Sequence, residues 1–406
     1  MNKITRMMLS ALAAISVRAR ESLNHENAKD YKLDFYLINK AAEQGLVNAQ
    51  NNLGVMYLDG RGVSQDYKLA FAWFSRAAEQ GFALAQYNLG VMYDQGLGVT
   101  QNYQQAVKLF ERAAEQGCAE AQNNLASMYD NGQGVSQDYK QAVTWYSKAA
   151  EQGDAEAQFN LGSMYARGLG VTRNYQQAAK WFSKAAEQGF AMAQSNLGVM
   201  YQQGLGVTQD YQQAAKWHEK AAEQGYAEAQ NNLASIYFKG QGVSQDYKQA
   251  FAWYRKAAEQ GYAKAQYNLG VMYDKGQGVS QDYKQAFAWY RKAAEQGYAK
   301  AQNNLASMYD NGQGVSQDYK QAVTWYSKAA EQGVADAQLS LMAAYCDGRG
   351  VQQDYQQAYA WSSVAAANGN SKAAELRDLL AKELTPAALV EARALASSYF
   401  KQYQAK

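Results

Sequence analysis

Apolar residues return at helical spacing along this chain, in two kinds of stretch that alternate. In the first kind, Ala49, Leu53 and Tyr57 are spaced i, i+4, i+8 and share one stripe of a helix. The second kind begins at residues such as Tyr67 and carries a stripe that includes Trp73. The pattern predicts a pair of helices in each unit, called helix A and helix B.

Short polar and glycine-rich segments separate the two helices. Gly60 and Gly62 follow helix A, and such glycines allow the positive φ that ends a helix. Asp66, which is asparagine in two other units, precedes helix B as a predicted N-cap. Gly81 lies where a left-handed residue would end helix B.

The unit recurs every 36 residues without insertion or deletion. The motif AAEQG marks each period, and one 32-residue string is identical at 122–153 and at 302–333. A fixed period of this length is typical of a repeat array, in which neighbouring helix pairs bury each other's stripes. The sequence therefore predicts nine repeats over residues 46–369.

The two ends depart from the repeat. Residues 1–19 have a charged start, an apolar run and a V-x-A series, typical of a signal peptide cut after Ala19, although a capping helix is the alternative. Residues 20–45 are predicted to be a lead-in and half repeat. Residues 370–406 are predicted to be capping helices, the second beginning with Thr385 as N-cap and Pro386.

Composition limits the classes of partner that are expected. The chain is 48% hydrophobic and 19% charged, which suits a folded protein. Its 39 basic and 37 acidic residues give a net charge of +2, so no nucleic-acid partner is expected. No apolar run after the first approaches the roughly 20 residues of a membrane span, so no integral membrane segment is expected in the mature chain.

Motifs for catalysis, metals or cofactors are weak. Cys118 and Cys346 lie more than six repeats apart, so both are predicted to be free thiols. His25 and His218 belong to no zinc-binding pattern, and His218 replaces an aromatic residue of the repeat. The turn G-x-G-V lacks the third glycine of a dinucleotide fingerprint. S-x-x-K at 398–401 has none of the partner motifs of β-lactam enzymes. We therefore expect no catalytic residue, no metal and no cofactor.

The unit A-x-A-Q-x-x-L-G-x-x-Y-x-x-G-x-G-V-x-x-D-Y-x-x-A-x-x-W-x-x-K-A-A-E-Q-G resembles the Sel1-like repeat. Gln50, Gly60, Val63, Asp66 and Trp73 match that pattern, over roughly residues 30–369. The resemblance implies an all-α fold, a right-handed α/α superhelical solenoid of 36-residue helix-turn-helix repeats. It also implies a non-catalytic adaptor or scaffold that binds a protein or peptide, and bacterial members are often periplasmic or secreted.

Partner-binding candidates come from helix-A positions that vary between repeats. One column, about 160° from the leucine stripe at about 100° per residue, is predicted to point away from the core. Its aromatic members are Tyr87, Phe159 and Tyr267, and Leu84 and Met192 belong to a neighbouring column on that face. By the resemblance, helix A lines the concave side. The asparagine row from Asn52 to Asn304 is predicted to form hydrogen bonds between helices.

The sequence supports two further hypotheses. The Lys/Arg row on helix B, such as Arg76, with glutamate three residues later, is interpreted as a solvated face with i, i+3 pairing. The favoured function is an exported adaptor for one protein or peptide partner. The alternatives are an architectural component of the cell envelope, a β-lactam-binding or β-lactam-hydrolysing relative, and a cytoplasmic location.

Overall fold

A computed structural model describes the backbone of residues 28–403 and the side chains of residues 34–403. This part of the chain is built of α-helices and turns and contains no strand. The 21 helices are α1 (Ala28–Glu43), α2 (Val47–Asp59), α3 (Tyr67–Glu79), α4 (Ala83–Gln95), α5 (Tyr103–Glu115), α6 (Ala119–Asn131), α7 (Tyr139–Glu151), α8 (Ala155–Arg167), α9 (Tyr175–Glu187), α10 (Ala191–Gln203), α11 (Tyr211–Glu223), α12 (Ala227–Lys239), α13 (Tyr247–Glu259), α14 (Ala263–Lys275), α15 (Tyr283–Glu295), α16 (Ala299–Asn311), α17 (Tyr319–Glu331), α18 (Ala335–Asp347), α19 (Tyr355–Ala367), α20 (Ser371–Glu383) and α21 (Pro386–Tyr403).

The chain divides into two compact units. Unit 1 comprises residues up to Ala193 together with Leu205–Val207, and unit 2 comprises Gln194–Gly204 together with Thr208–Lys406. Inside each unit, helix B packs against helix A of its own repeat and against helix A of the next, and α19 packs against α20 and α21. Each unit is therefore a stack of helix pairs, as the 36-residue period predicts.

The predicted ends of the helices are confirmed. Asp66 accepts hydrogen bonds from the backbone N–H groups of Lys68 and Leu69, at 2.9 and 3.0 Å, and so caps α3. Gly60 follows α2 with φ of 74° and donates its N–H to a carbonyl of the last turn. The second glycine of the turn packs against the previous repeat, because a Cβ on Gly98 would lie 2.4 Å from the carbonyl oxygen of Tyr67.

Buried glutamines link the repeats in addition to the apolar core. Gln86 on α4 donates to the carbonyl of Ala78 at 3.4 Å and accepts from Gln116 at 2.8 Å. The same pair of bonds recurs in nearly every repeat, with Asn368 in the place of the donor in the ninth. These bonds satisfy an amide that the stack buries, which explains the glutamine in both A-x-A-Q and AAEQG.

The last helix covers the end of unit 2. It begins at Pro386, and Thr385 accepts a hydrogen bond from the N–H of Ala388 at 3.3 Å, as predicted for its N-cap. The rings of Tyr399 and Tyr403 lie 4.7 and 5.7 Å from the ring of Trp361. The cap therefore buries the tryptophan of the ninth repeat. The predicted signal peptide, residues 1–19, and His25 lie outside the described residues.

Candidate functional site

The helix-A face carries side chains that vary from one repeat to the next. We use this name for the exposed column that begins with Leu84 on α4 and contains Met192 on α10. Leu84 is 44% exposed and Met192 39% exposed, which is unusual for large apolar side chains in this chain. The other members of the column from repeat 3 onward are charged: Glu120, Glu156, Glu228, Lys264, Lys300 and Asp336.

The three aromatic candidates do not point away from the core, and the sequence prediction of their orientation is wrong. Tyr87, Phe159 and Tyr267 are half-buried, and each ring packs on the aromatic ring of helix B in the same repeat. The ring of Tyr87 lies 6.0 Å from that of Phe110, and the ring of Phe159 lies 5.7 Å from that of Phe182. Part of each of these side chains remains exposed.

The error has a simple geometric cause. The prediction treated helix A as a surface helix with a single buried stripe. Inside a stack, helix A packs against two B helices, so its buried arc is much wider than one stripe. Burial also raises the pKa of the hydroxyl groups of Tyr87 and Tyr267. These rings serve mainly as packing, and their use by a partner is restricted to the exposed edges.

The asparagine row forms the predicted hydrogen bonds between successive A helices. Asn88 donates to Asn51 at 3.0 Å, and Asn268 donates to Asn231 at 3.0 Å. The acceptor belongs to the same column as Tyr87, so the column fills its place with either an aromatic ring or an amide. This row links successive A helices and adds amide groups to the helix-A face.

Lysines and arginines of helix B stack on tryptophan, which corrects the interpretation of a lysine–glutamate ladder. The Nζ atom of Lys148 lies 3.7 Å from the ring centre of Trp145, and that of Lys256 lies 3.9 Å from Trp253. The same arrangement recurs at Arg76, Lys184, Lys220, Lys292 and Lys328. The cation covers the face of a half-buried tryptophan, an attractive interaction that also hides apolar surface.

A row of tyrosines was not identified from the sequence. Tyr226, Tyr262 and Tyr298 lie immediately before the A helices of repeats 6 to 8 and are half-exposed. The hydroxyl of Tyr226 donates to Glu228 at 3.3 Å. The signal was present, because the residue after AAEQG is aromatic in five repeats, but its place in a turn gave it no helical spacing.

A polar groove of about 510 Å³ crosses α12 in unit 2. Its sides are formed by the last turns of α10 and the first turns of α14. Its lining residues are Val199, Gln202, Gln203, Tyr211, Glu228, Asn231, Asn232, Ser235, Lys239, Gln241, Lys264 and Asn268. Amides and charged groups dominate this lining, in contrast to the apolar core beneath.

The histidine and the two cysteines of the described residues are in environments that do not favour reactivity. His218 is fully buried against Gly198, and burial lowers its pKa to about 4. Both cysteines are free, and burial raises the pKa of Cys118 to about 11, which disfavours a reactive thiolate. Among the described residues, no group of His, Cys, Asp and Glu has a metal-binding arrangement. No helix of the described part is long and apolar enough to cross a bilayer.

The fold is that of an all-α repeat protein, and the sequence of its repeats matches a known family. Nine successive segments match the Sel1 repeat: 47–82, 83–118, 119–154, 155–190, 191–226, 227–262, 263–298, 299–334 and 335–370. The chain belongs to the Sel1 repeat family. Proteins of this family are generally non-catalytic scaffolds for protein interaction.

Two solved structures show the same architecture. One is a protective antigen of uropathogenic Escherichia coli strains that displays an SLR fold, with 38% identity, a TM-score of 0.64, and coverage of 98% of this chain and 94% of that one. The other is a Sel1 repeat protein from Oxalobacter formigenes, with 38% identity, a TM-score of 0.57, and coverage of 74% of this chain and 87% of that one. None of the curated proteins is similar enough to count as a match.

Proposed function

We propose that this protein is an exported, non-catalytic adaptor that binds one protein or peptide partner on its helix-A face, the concave side in the family resemblance. The observation that carries the proposal is the exposure of Leu84 and Met192 on one column of unit 1. Exposed apolar surface is a feature of protein-interaction sites, and methionine is enriched in them. The buried positions of helix A, in contrast, are nearly the same in every repeat.

Capture experiments test the proposal directly. The chain without residues 1–19 serves as bait in an extract of its native host, and one dominant partner is the expected result. Recovery of bulk wall or membrane material without such a partner would favour an architectural role in the envelope instead.

Substitutions on the helix-A face test whether the partner binds there. The double variant Leu84→Ser, Met192→Ser should weaken binding of the captured partner at least about tenfold, about 1.4 kcal/mol, because both side chains are exposed and the fold does not need them. Leu69→Ser is the matched control, since Leu69 is 42% exposed but lies on helix B. Equal affinity of the double variant and the native chain would move the site off the helix-A face.

Export is the second part of the proposal. It rests on the charged, apolar and V-x-A series from Met1 to Ala19. The relative in uropathogenic E. coli is described as a protective antigen, which fits a protein that leaves the cytoplasm. Amino-terminal sequencing of the protein from its native host should give a start near Arg20. A cytoplasmic product that begins at Met1 would contradict export.

A further inference from the structure

We propose that the polar groove across α12 binds an extended acidic peptide segment. This inference rests on the proposed function and names the chemistry of the partner. The volume of about 510 Å³ lies within the roughly 300–1,000 Å³ of ligand clefts, so the groove suits a short stretch of chain. All of its lining residues belong to unit 2.

The charges of the groove favour a negative ligand. Lys239 and Lys264 line it, and in the described part of the chain neither takes part in an ion pair or a hydrogen bond. Glu228 is the one carboxylate among the lining residues, and its side chain already accepts a hydrogen bond from Tyr226. Two unpaired ammonium groups therefore remain for carboxylates of a ligand.

The amides of the groove suit a peptide backbone. A carboxamide side chain offers both a donor and an acceptor, as a backbone peptide group requires. Gln202 and Asn232 lie on adjacent A helices. Neither side chain donates a hydrogen bond to another side chain of the described structure. The Oε1 atom of Gln241 is buried and receives no hydrogen bond within residues 34–403. A ligand N–H would satisfy that acceptor.

The combination of cations and amides in the groove is not common to the whole array of repeats. The positions three repeats earlier, across α6 in unit 1, keep the three asparagines and the serine of the lining but replace its cations. Asn131 stands in the place of Lys239, Glu156 in the place of Lys264, and Asp94 in the place of Gln202. The asparagines are thus shared with unit 1, whereas the two lysines are not. One repeat later, Lys275 and Lys300 keep both cations, but Tyr267 and Val271 replace Asn231 and Ser235. The groove across α12 therefore combines both lysines with the asparagines and the serine.

Half-exposed tyrosines border the end of the groove at which Glu228 and Lys264 lie. Tyr226 and Tyr262 both interact with Glu228, which places them beside the column that contains Lys264. Tyrosine offers a large contact area together with a hydroxyl donor, and it is enriched in binding hot spots. The combination of lysines, amides and tyrosines thus fits a peptide with glutamate or aspartate at intervals.

The test uses a fluorescein-labelled peptide of alternating glutamate and glycine, with a glutamine peptide as its neutral counterpart. Fluorescence anisotropy at low ionic strength should show saturable binding of the glutamate peptide to the full chain, and at least about tenfold weaker binding of the glutamine peptide. Equal binding of the two peptides, or no saturable binding up to about 1 mM, would overturn the proposal.

Equivalent positions in other repeats provide substitutions for a test by mutation. Lys239→Asn with Lys264→Glu introduces the residues found three repeats earlier, so both are compatible with the fold, and this groove variant should lose at least about tenfold in affinity for the glutamate peptide. Lys275→Asn with Lys300→Glu changes the same two positions one repeat later, with the same change in net charge, outside the groove. This control should bind as the native chain does. Equal losses in both variants would indicate general electrostatics and overturn the site.

The captured partner separates this inference from the proposed function. A partner that the groove variant retains at native affinity overturns the acidic-peptide inference and leaves the adaptor function standing. A glutamate peptide that binds as expected while no partner is captured supports the groove and contradicts the adaptor function. Self-association that the groove variant loses, without peptide binding, would identify a second copy of this chain as the occupant and overturn the inference.

Discussion

The position occupied by His218 illustrates how one residue can deviate inside a nearly uniform array. Seven other repeats have phenylalanine or tyrosine there, and the ninth has Ser362. The imidazole packs against Gly198, as the ring of Phe182 packs against Gly162 one repeat earlier. Neither ring nitrogen of His218 has a hydrogen-bond partner among the described residues. A position that is aromatic in most repeats therefore contains a buried polar imidazole, which lowers the stability of the fold.

His218 should make the stability of the fold depend on pH. Burial lowers its pKa from 6.5 to about 4, so the unfolded chain binds a proton that the folded chain does not. Stability is therefore lost as pH falls from about 6.5 to about 4, by roughly 3 kcal/mol, and no further below. His218→Phe should remove this dependence and raise stability, as measured by urea unfolding at a series of pH values.

Phe182→His is the matched control for that prediction, because it places the same ring against the glycine of the preceding repeat. It should lower stability and add a second dependence on pH over the same range. Parallel pH profiles for the native chain and His218→Phe would show that the buried imidazole does not titrate as proposed.

At the scale of the helix, one pair of facing residues exchanges its sizes in the ninth repeat. Gly162 on α8 faces Phe182 on α9, and a Cβ on that glycine would lie 2.8 Å from the ring. In the ninth repeat the large residue changes sides, because Met342 on α18 corresponds to the glycine and Ser362 on α19 to the ring. Both Met342 and Ser362 are buried. In the ninth repeat the large and the small residue of this pair have thus exchanged helices.

A double-mutant cycle tests this complementarity. Gly162→Met should overpack the helix pair, and Phe182→Ser should leave a cavity and cost about 3–5 kcal/mol. The double variant, which copies the ninth repeat, should be more stable than the sum of the two losses predicts, by at least about 1 kcal/mol. Chemical denaturation of the four proteins gives the coupling. Additive losses would show that these residues do not compensate each other.

The sequence predicts the helices well because their signals are local. Asp66 and Gly60 act within a few residues of the helix ends that they form, so a single chain is enough to identify them. The orientation of Tyr87 depends on the number of neighbours around helix A, which a helical wheel of one helix does not contain. Lys148 has Trp145 on one side and Glu151 on the other at equal spacing, so spacing alone could not identify its partner as the indole.

At the scale of the whole molecule, the same sequence can occur in two repeats because each repeat has nearly the same neighbours. The string 122–153 forms α6 and α7 in unit 1, and the same string at 302–333 forms α16 and α17 in unit 2. Each copy lies between helix pairs that present nearly the same surfaces. The stability of each unit is then approximately a sum over repeats and their interfaces with neighbours.

This additivity predicts that losing a whole repeat is milder than damaging one. Deletion of 117–152 joins Gln116 to Gly153 inside unit 1. Gln158 would then donate to the carbonyl of Ala114, as it does to Ala150 in the native chain, so the glutamine ladder continues across the junction. The bond from Asn160 to Asn123 would be lost, because Tyr87 takes the place of the acceptor.

Leu161→Ala is the comparison, since Leu161 is 1% exposed and remains in both proteins. It leaves a cavity that the stack cannot close and should cost about 2–5 kcal/mol. Thermal melts should therefore show a smaller loss of Tm for the 36-residue deletion than for this single truncation, with a smaller urea m-value for the deletion because less surface is exposed on unfolding. A deletion variant that melts well below Leu161→Ala would mean that the repeats are not equivalent neighbours. Stability would then depend on particular pairs of repeats, and identical strings in the two units would have different energetic roles.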